Sequence, residues 1–367
     1  MKKVLFMPFL QIPSGHHQVA DALTEIISKM DQSIKCEKVD ILNYSYGRVE
    51  RMISKIYIKW IHSFPKTYHW IYHKLVCDNL EKDKHYHLYE FLFLPFVKRL
   101  IREIKPDLIV CSHALPSYML NKLKHDKLID TPVINVYTDY FIHSFWGTSH
   151  IDYHFVSHSS LRTHLLEKGI DKTRIFVTGI PTHPAFHKKI KEKRSLRNCT
   201  VMGGSLGVGV IDELLPKLVN SKNMTFTVLC GKNKKLFETI RKLGNKKIKA
   251  YGYITNRKEM NKIYENTDVV ITKPGGITIS ECLTKGIPAL IYHTLPGQEK
   301  INLNELSSYQ LVFKFDHWKE MDSIEEGIYE FFREHQGLRT FSNNLKQFQD
   351  TLEKQSLESI LKEILYS

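Results

Sequence analysis

The densest chemistry in the sequence lies in the run Asp268-Val-Val-Ile-Thr272-Lys273-Pro274-Gly275-Gly276-Ile277-Thr278-Ile279-Ser280-Glu281. A buried strand runs into a Gly-Gly turn and then into a helix that ends at Gly286, with Pro288 after it. Such a turn lets backbone approach a ligand, and the free amides and positive end of the helix attract phosphate. Thr278 can add a hydroxyl to the phosphates, and Glu281, one turn further, can accept both hydroxyls of a ribose. Together these residues read as a cradle for a nucleotide diphosphate, the alternative being the ordinary glycine turn of a βα unit. A strand later, Pro296-Gly297-Gln298-Glu299-Lys300-Ile301-Asn302 puts Gln298, Glu299 and Asn302 beyond a strand's C-terminal end, where open α/β sheets bind ligands. Amides and a carboxylate there suit sugar hydroxyls. A second glycine loop, Gly203-Gly204-Ser205-Leu206-Gly207-Val208-Gly209, has neither the G-x-G-x-x-G order of a dinucleotide site nor a P-loop lysine, which disfavours NAD and ATP. Near the start, Ser14-Gly15-His16-His17 stands between strand and helix, at the functional edge of a parallel sheet. Histidine is the usual general base near neutral pH.

These residues need βα units to hold them. Short apolar runs alternate with amphipathic stretches, the pattern of helices wound on parallel sheets. Strands are predicted over 3–7, 107–111, 133–137, 153–156 and 175–178, then over 199–202, 225–230, 247–251, 268–272 and 289–292. After Gly15, Val19, Leu23, Ile26, Ile27 and Met30 fall on one helical face. Residues 187–197 carry six Lys or Arg against Glu192 alone and have no apolar period, which marks a linker. The reading is therefore an α/β protein of two Rossmann-like, doubly wound lobes. The N-terminal lobe covers 1–186 with a helical insertion at 48–105, the C-terminal lobe covers 198–344, and a helix over 345–367 returns to the first lobe.

The 367 residues suit two domains, and 42% hydrophobic with 25% charged residues excludes a disordered or fibrous chain. Six scattered cysteines with no C-x-x-C pair argue against a disulfide framework or a zinc ribbon and for reducing, cytoplasmic surroundings. The apolar start reaches no small-residue cleavage site. Residues 91–97, interrupted by Pro95, are far too few to span a bilayer, so any membrane contact is peripheral. Fifty-three basic against 39 acidic residues, a net +14, call for an anionic partner: nucleic acid, a phosphorylated substrate or an acidic membrane. Residues 48–105 hold 12 basic and 6 acidic residues, with 11 aromatics over 57–96. They read either as a membrane interface or as a plain helical insertion with an aromatic core.

Taken together, Gly15-His16-His17-Gln18-Val19-Ala20, Pro106-Asp107-Leu108-Ile109, Thr138-Asp139-Tyr140 with His143 and Trp146, Gly179-Ile180-Pro181, Lys273-Pro274-Gly275-Gly276-Ile277-Thr278 and Pro296-Gly297-Gln298-Glu299 resemble the diacylglycerol glucosyltransferases of Gram-positive bacteria and the plant monogalactosyldiacylglycerol synthases. The resemblance implies a GT-B fold, two lobes facing a cleft, which transfers a hexose from a UDP-sugar to a lipid with inversion at the anomeric carbon. It makes His16 the base, with His17, Asp139, His143 and Trp146 on the acceptor side. Gly204, Gly275, Gly276 and Thr278 would hold the diphosphate, Tyr253 and Ile254 the uracil, Glu281 the ribose, and Gln298 and Glu299 the sugar. Lys273, Asn302 and His183 would complete the donor side. Leaving UDP gains charge that amides at a helix start can stabilise, and no Asp-x-Asp motif occurs, so no metal or other cofactor is expected.

The chain departs from the family pattern at three places: His183 replaces the usual Arg, Thr148 stands where His is usual after Trp146, and Ile12-Pro13-Ser14 replaces a glycine-rich loop. UDP-glucose is the favoured donor, although Gln298 and Glu299 suit several hexoses, and a soluble metabolite is the alternative acceptor. Nucleic-acid binding is disfavoured, because the basic stretch 232–249 has Phe237 as its only aromatic and carries no recognition motif. Among the 19 histidines, the pairs His69/His73 and His85/His87 lack the partners a metal site needs.

Overall fold

A computed structural model describes residues 1–9, 14–47, 86–186, 196–205, 207, 210–295, 297–334 and 337–366. The insertion predicted at 48–105 therefore lies outside the described residues up to 85, as does most of the linker. The chain divides into two compact units, Met1–His183 with Thr351–Ser367, and Pro184–Asp350.

The first unit is a six-stranded parallel sheet in the order β2-β1-β3-β4-β5-β6. Its strands are β1 (Lys3–Met7), β2 (Lys35–Lys38), β3 (Leu108–Cys111), β4 (Val133–Val136), β5 (Tyr153–Val156) and β6 (Ile175–Val177). Strands β3 and β4 are buried throughout, as strands covered on both faces must be, which is why their sequences read as unbroken apolar runs. Edge strand β2, Lys-Cys-Glu-Lys, has no such run and escapes prediction. The helix Gly15–Met30 turns Val19, Leu23 and Ile27 inward. Helix His87–Ile104, within the stretch predicted to be helical, continues through Pro95; Phe93, Val97, Leu100 and Ile101 are buried along it, and this packing outweighs the lost backbone bond.

The second unit repeats the plan in the order β12-β11-β10-β7-β8-β9, all parallel. Its strands are β7 (Asn198–Met202), β8 (Thr225–Leu229), β9 (Ile248–Tyr251), β10 (Val269–Thr272), β11 (Ala289–Ile291) and β12 (Phe313–Lys314). The two-residue β12 is too short to read from sequence. Winding reverses between β1 and β3 in the first sheet and between β7 and β10 in the second. Loops leaving the C-terminal ends of strands at such a reversal diverge to opposite faces and leave a crevice.

The segment expected as one helix over 345–367 is two, Gly337–Thr351 and Leu357–Tyr366. Helix geometry breaks where Glu353 docks on β6: its amide donates to the Val177 carbonyl at 2.9 Å, and its carboxylate accepts from the Val177 amide and from Arg162. Helix Leu357–Tyr366 then packs on Gly15–Met30, burying Ile360 and Leu361, and Tyr366 donates to Asp31 at 2.7 Å. Leu361→Ala should therefore destabilise the fold by about 2–5 kcal/mol, read as a lower urea midpoint at unchanged slope.

Candidate active site

The reversal point of the first unit is built from histidines. Helix Gly15–Met30 starts immediately after Ser14, so His16 lies in its first turn, beside the end of β3. Its Nδ1 stands 2.7 Å from the Ser112 carbonyl, and the Ser112 hydroxyl donates back to the His16 carbonyl at 3.0 Å. A carbonyl only accepts, so Nδ1 carries the proton and Nε2 keeps its lone pair. The Thr138 hydroxyl, just past β4, lies 3.1 Å from the same Nδ1.

His113 stands edge-to-face with His16, ring centroids 4.7 Å apart. Its Nδ1 accepts the Leu115 amide at 3.1 Å and caps helix Ala114–His125. His143 likewise accepts the Phe145 amide at 3.3 Å. Burial lowers the pKa of His16 to about 4, with proximity to His17 adding to the effect and the Ser112 bond opposing it. Burial, then His16, lowers His143 to about 3, and burial with the neighbouring histidines takes His113 well below its ordinary value. At neutral pH all three rings are uncharged.

The other acceptor-side residues named from sequence fall around this cluster. Trp146 is buried, its ring 4.6 Å from Tyr137 and 6.3 Å from His143. The next residue, Gly147, is held by Asn135 and Ser117, which donate to its carbonyl at 2.7 and 3.2 Å. A Cβ there would meet Asn121 Cβ at 2.3 Å, so only glycine fits. The Asp139 carbonyl accepts from Ser157 at 2.9 Å, and His17 is half-buried on the same helix as His16. Beyond Thr148, His150 is exposed and packs on His125. His183 ends the first unit.

In the second unit both glycine loops lie at the reversal between β7 and β10. Gly275 caps helix Gly276–Lys285, which ends at the left-handed Gly286 (φ 62°) as predicted. The turn is looser than the sequence implies: Gly275 has φ −74° and ψ 130°, a conformation open to any residue, and a Cβ there would meet nothing within 4 Å. Gly204 is left-handed (φ 74°) and equally unobstructed. By contrast, a Cβ on Gly207 would lie 1.9 Å from the Cys230 carbonyl oxygen, because the loop after β8 is clamped onto this one, with the Lys232 amide donating to Ser205 at 3.1 Å.

Thr278 is half-buried in the helix's first turn. Lys273 pairs with Glu299 at 2.7 Å, and the other Glu299 oxygen accepts the Leu295 amide at 2.7 Å, so two of the predicted donor-side residues meet directly. Gln298 opens helix Gln298–Ser308, and Asn302 is buried within it. Glu281 is buried and accepts from the Tyr264 hydroxyl at 2.6 Å. Burial raises its pKa to about 7, against the opposing effects of the Tyr264 bond and Arg257. Lys232 Nζ lies 5.7 Å over the half-exposed ring of Tyr253, whereas Ile254 packs into a core cluster with Met260 and Tyr264. Sequence reasoning missed Ser112, His113 and Tyr264. A signal existed for the first two, since Ser112-His113 follows β3 much as Gly15-His16 follows β1.

Two family models match the chain: monogalactosyldiacylglycerol (MGDG) synthase over residues 16–182 and the glycosyltransferase family 28 C-terminal domain over 198–355. Among curated proteins, the Bacillus subtilis (strain 168) protein named uncharacterized glycosyltransferase YkoN is 39% identical, covering 100% of this chain and 98% of its own. The processive diacylglycerol beta-glucosyltransferase of the same organism is 26% identical, over 96% of this chain and 92% of its own. In structure, Acinetobacter baumannii MurG superposes with a TM-score of 0.59 at 14% identity, covering 100% of both chains, a likeness of fold.

Two titrations test the electrostatics. Followed by NMR of ring nitrogens, His16 should take up its second proton only near pH 4; a midpoint near 6.5 would contradict its burial. Glu281 behaves oppositely. Its folded pKa lies above the unfolded 4.5, so its contribution to stability is complete below about 4.5 and is lost as pH rises through about 7. Glu281→Gln should therefore raise stability at pH 8 by about 1–3 kcal/mol and leave it nearly unchanged at pH 4.5, as read from denaturant midpoints at the two pH values.

Proposed function

We propose, because the chain belongs to the diacylglycerol glucosyltransferase and monogalactosyldiacylglycerol synthase family of GT-B glycosyltransferases, that it moves a hexose from a UDP-sugar, UDP-glucose foremost, to diacylglycerol or a similar lipid at a membrane surface, inverting the anomeric carbon. The observation that carries the chemistry is the bond from His16 Nδ1 to the Ser112 carbonyl. It leaves Nε2 as an uncharged proton acceptor, and a base that removes a hydroxyl proton must start in that state. The acceptor oxygen then attacks the anomeric carbon as the bond to UDP breaks. His17, Asp139, His143 and Trp146 line the acceptor's approach.

The donor reading rests on the second unit. Unobstructed Gly204 and Gly275, with Gly276 and Thr278, take the diphosphate. The first amides of helix Gly276–Lys285 meet the charge that develops on leaving UDP, a role that asks for no metal or other cofactor. Tyr253 and Ile254 flank the uracil, and Glu281, braced by Tyr264, accepts from the ribose. Glu299, set by Lys273, joins Gln298 and Asn302 in reading the sugar. The family resemblance assigns His183, the last residue of the first unit, to the donor, as a titratable group where the family usually has a fixed cation.

The lipid acceptor follows from the relatives named for diacylglycerol. A surface to meet it is present on helix His87–Ile104, where Leu88 and Phe91 are 68% and 80% exposed and Arg99 and Arg102 are also exposed. Exposed apolar side chains and cations on one helix suit anionic headgroups, which supports a peripheral position on the cytoplasmic face. No helix among the described residues is long and apolar enough to cross a membrane.

The test is UDP release across UDP-glucose, UDP-galactose, UDP-N-acetylglucosamine and UDP-glucuronate, with and without diacylglycerol in anionic vesicles. Release that requires one donor and the lipid is expected; donor turnover indifferent to lipid would move the acceptor to a soluble metabolite. His16→Ala should lower turnover by a factor on the order of 10² to 10⁴, and near-normal turnover would remove it as the base.

A further inference from the structure

A catalytic histidine is commonly held by a carboxylate, which fixes its tautomer and stabilises the imidazolium. Among the described residues, no hydrogen bond or ion pair links His16 to a carboxylate. The partners of its Nδ1 are the Ser112 carbonyl at 2.7 Å and the Thr138 hydroxyl at 3.1 Å. Because the carbonyl requires a proton on Nδ1, the Thr138 oxygen can only accept from that same N–H, forming the second arm of a three-centre bond. The two arms come from the ends of different strands, β3 and β4, and Thr138 is itself buried.

We propose that Thr138 is a positioning residue for His16, its hydroxyl sharing the Nδ1 proton with the Ser112 carbonyl and thereby aiming Nε2 at the acceptor in place of a carboxylate. The inference rests on the reading of His16 as the base. Two neutral acceptors from separate strands fix the plane of the ring, which one acceptor would leave free to swing about a single bond. Among the described residues they leave the ring without a counter-charge, its titratable neighbours being His17 on its own helix, His113 after β3 and His143 after β4. Asp139 follows Thr138 in sequence, and its backbone carbonyl bonds Ser157.

Thr138→Val keeps the shape and deletes the hydroxyl, while Thr138→Ser keeps the hydroxyl. If Thr138 positions the base, Val should lower kcat about tenfold, the loss of one hydrogen bond to a developing charge, with the donor KM unchanged, and Ser should restore most of it. Thr138→Asp supplies a readout that a merely structural role would not move. A carboxylate facing Nδ1 should raise the NMR titration midpoint of His16 by more than one pH unit from about 4. Full kcat in the Val variant, or an unmoved His16 midpoint in a folded Asp variant, overturns the proposal; should the Asp variant fail to fold, the Val and Ser pair decides. The outcomes separate the two readings. An inactive His16→Ala beside a fully active Thr138→Val removes the positioning role and keeps the base, whereas an active His16→Ala removes the base.

Discussion

A doubly wound parallel sheet can reverse its winding at one gap, and only there do loops from adjacent strands diverge enough to admit a ligand. The rest of the arrangement depends on this constraint. In the first sheet the gap lies between β1 and β3, which pair from Val4 with Leu108 to Met7 with Cys111. Ser112, just beyond that register, and His16, in the first turn of the helix that follows β1, meet there and bond although 96 positions apart. In the second sheet β7 pairs with β10 up to Val201 and Ile271, which brings both glycine loops to one edge. Neither arrangement needs local sequence features beyond a helix that can start on time; parallel pairing supplies the proximity.

Burial then sets the charge state of what the topology assembles. The same desolvation pushes His16 down and Glu281 up, because in each case the charged form loses its water. Glu299 has different partners. That carboxylate holds a lysine ammonium and a backbone amide, whereas Glu281 is braced mainly by a tyrosine hydroxyl, too weak to restore an ordinary carboxylate.

The sequence made the chemistry-bearing stretches visible and left their partnerships hidden. Ten strands are readable from sequence, the central ones most plainly because both faces of a parallel sheet are covered, while β2 (Lys-Cys-Glu-Lys) carries no apolar run and β12 is only two residues long. His16 is legible from its place between strand and helix. The identity of its holder is not, since Ser112 acts through a backbone carbonyl, which every residue possesses, and no residue type marks it. Tyr264 is hidden for a related reason: a tyrosine at a helical core position reads as packing, and only the tertiary fold turns its hydroxyl to Glu281. The C-terminal segment reads as one helix because its apolar spacing is helical on both sides of Glu353, whose docking on β6 is a contact between distant parts of the chain.

The glycines separate two reasons for the same residue type. At Gly207 and Gly147 a side chain would collide with protein backbone or with Asn121, so the fold itself demands glycine. At Gly275 neither the described neighbours nor the dihedral angle imposes it, since the backbone is extended and a Cβ would meet none of the described residues within 4 Å. Glycine in a helix cap costs conformational entropy that Ser or Asp would partly recover by bonding the next amides. Retaining it at the start of helix Gly276–Lys285 leaves those amides uncapped and the approach to them clear. The fold thus forgoes a side-chain cap at this helix start, at a local cost to stability.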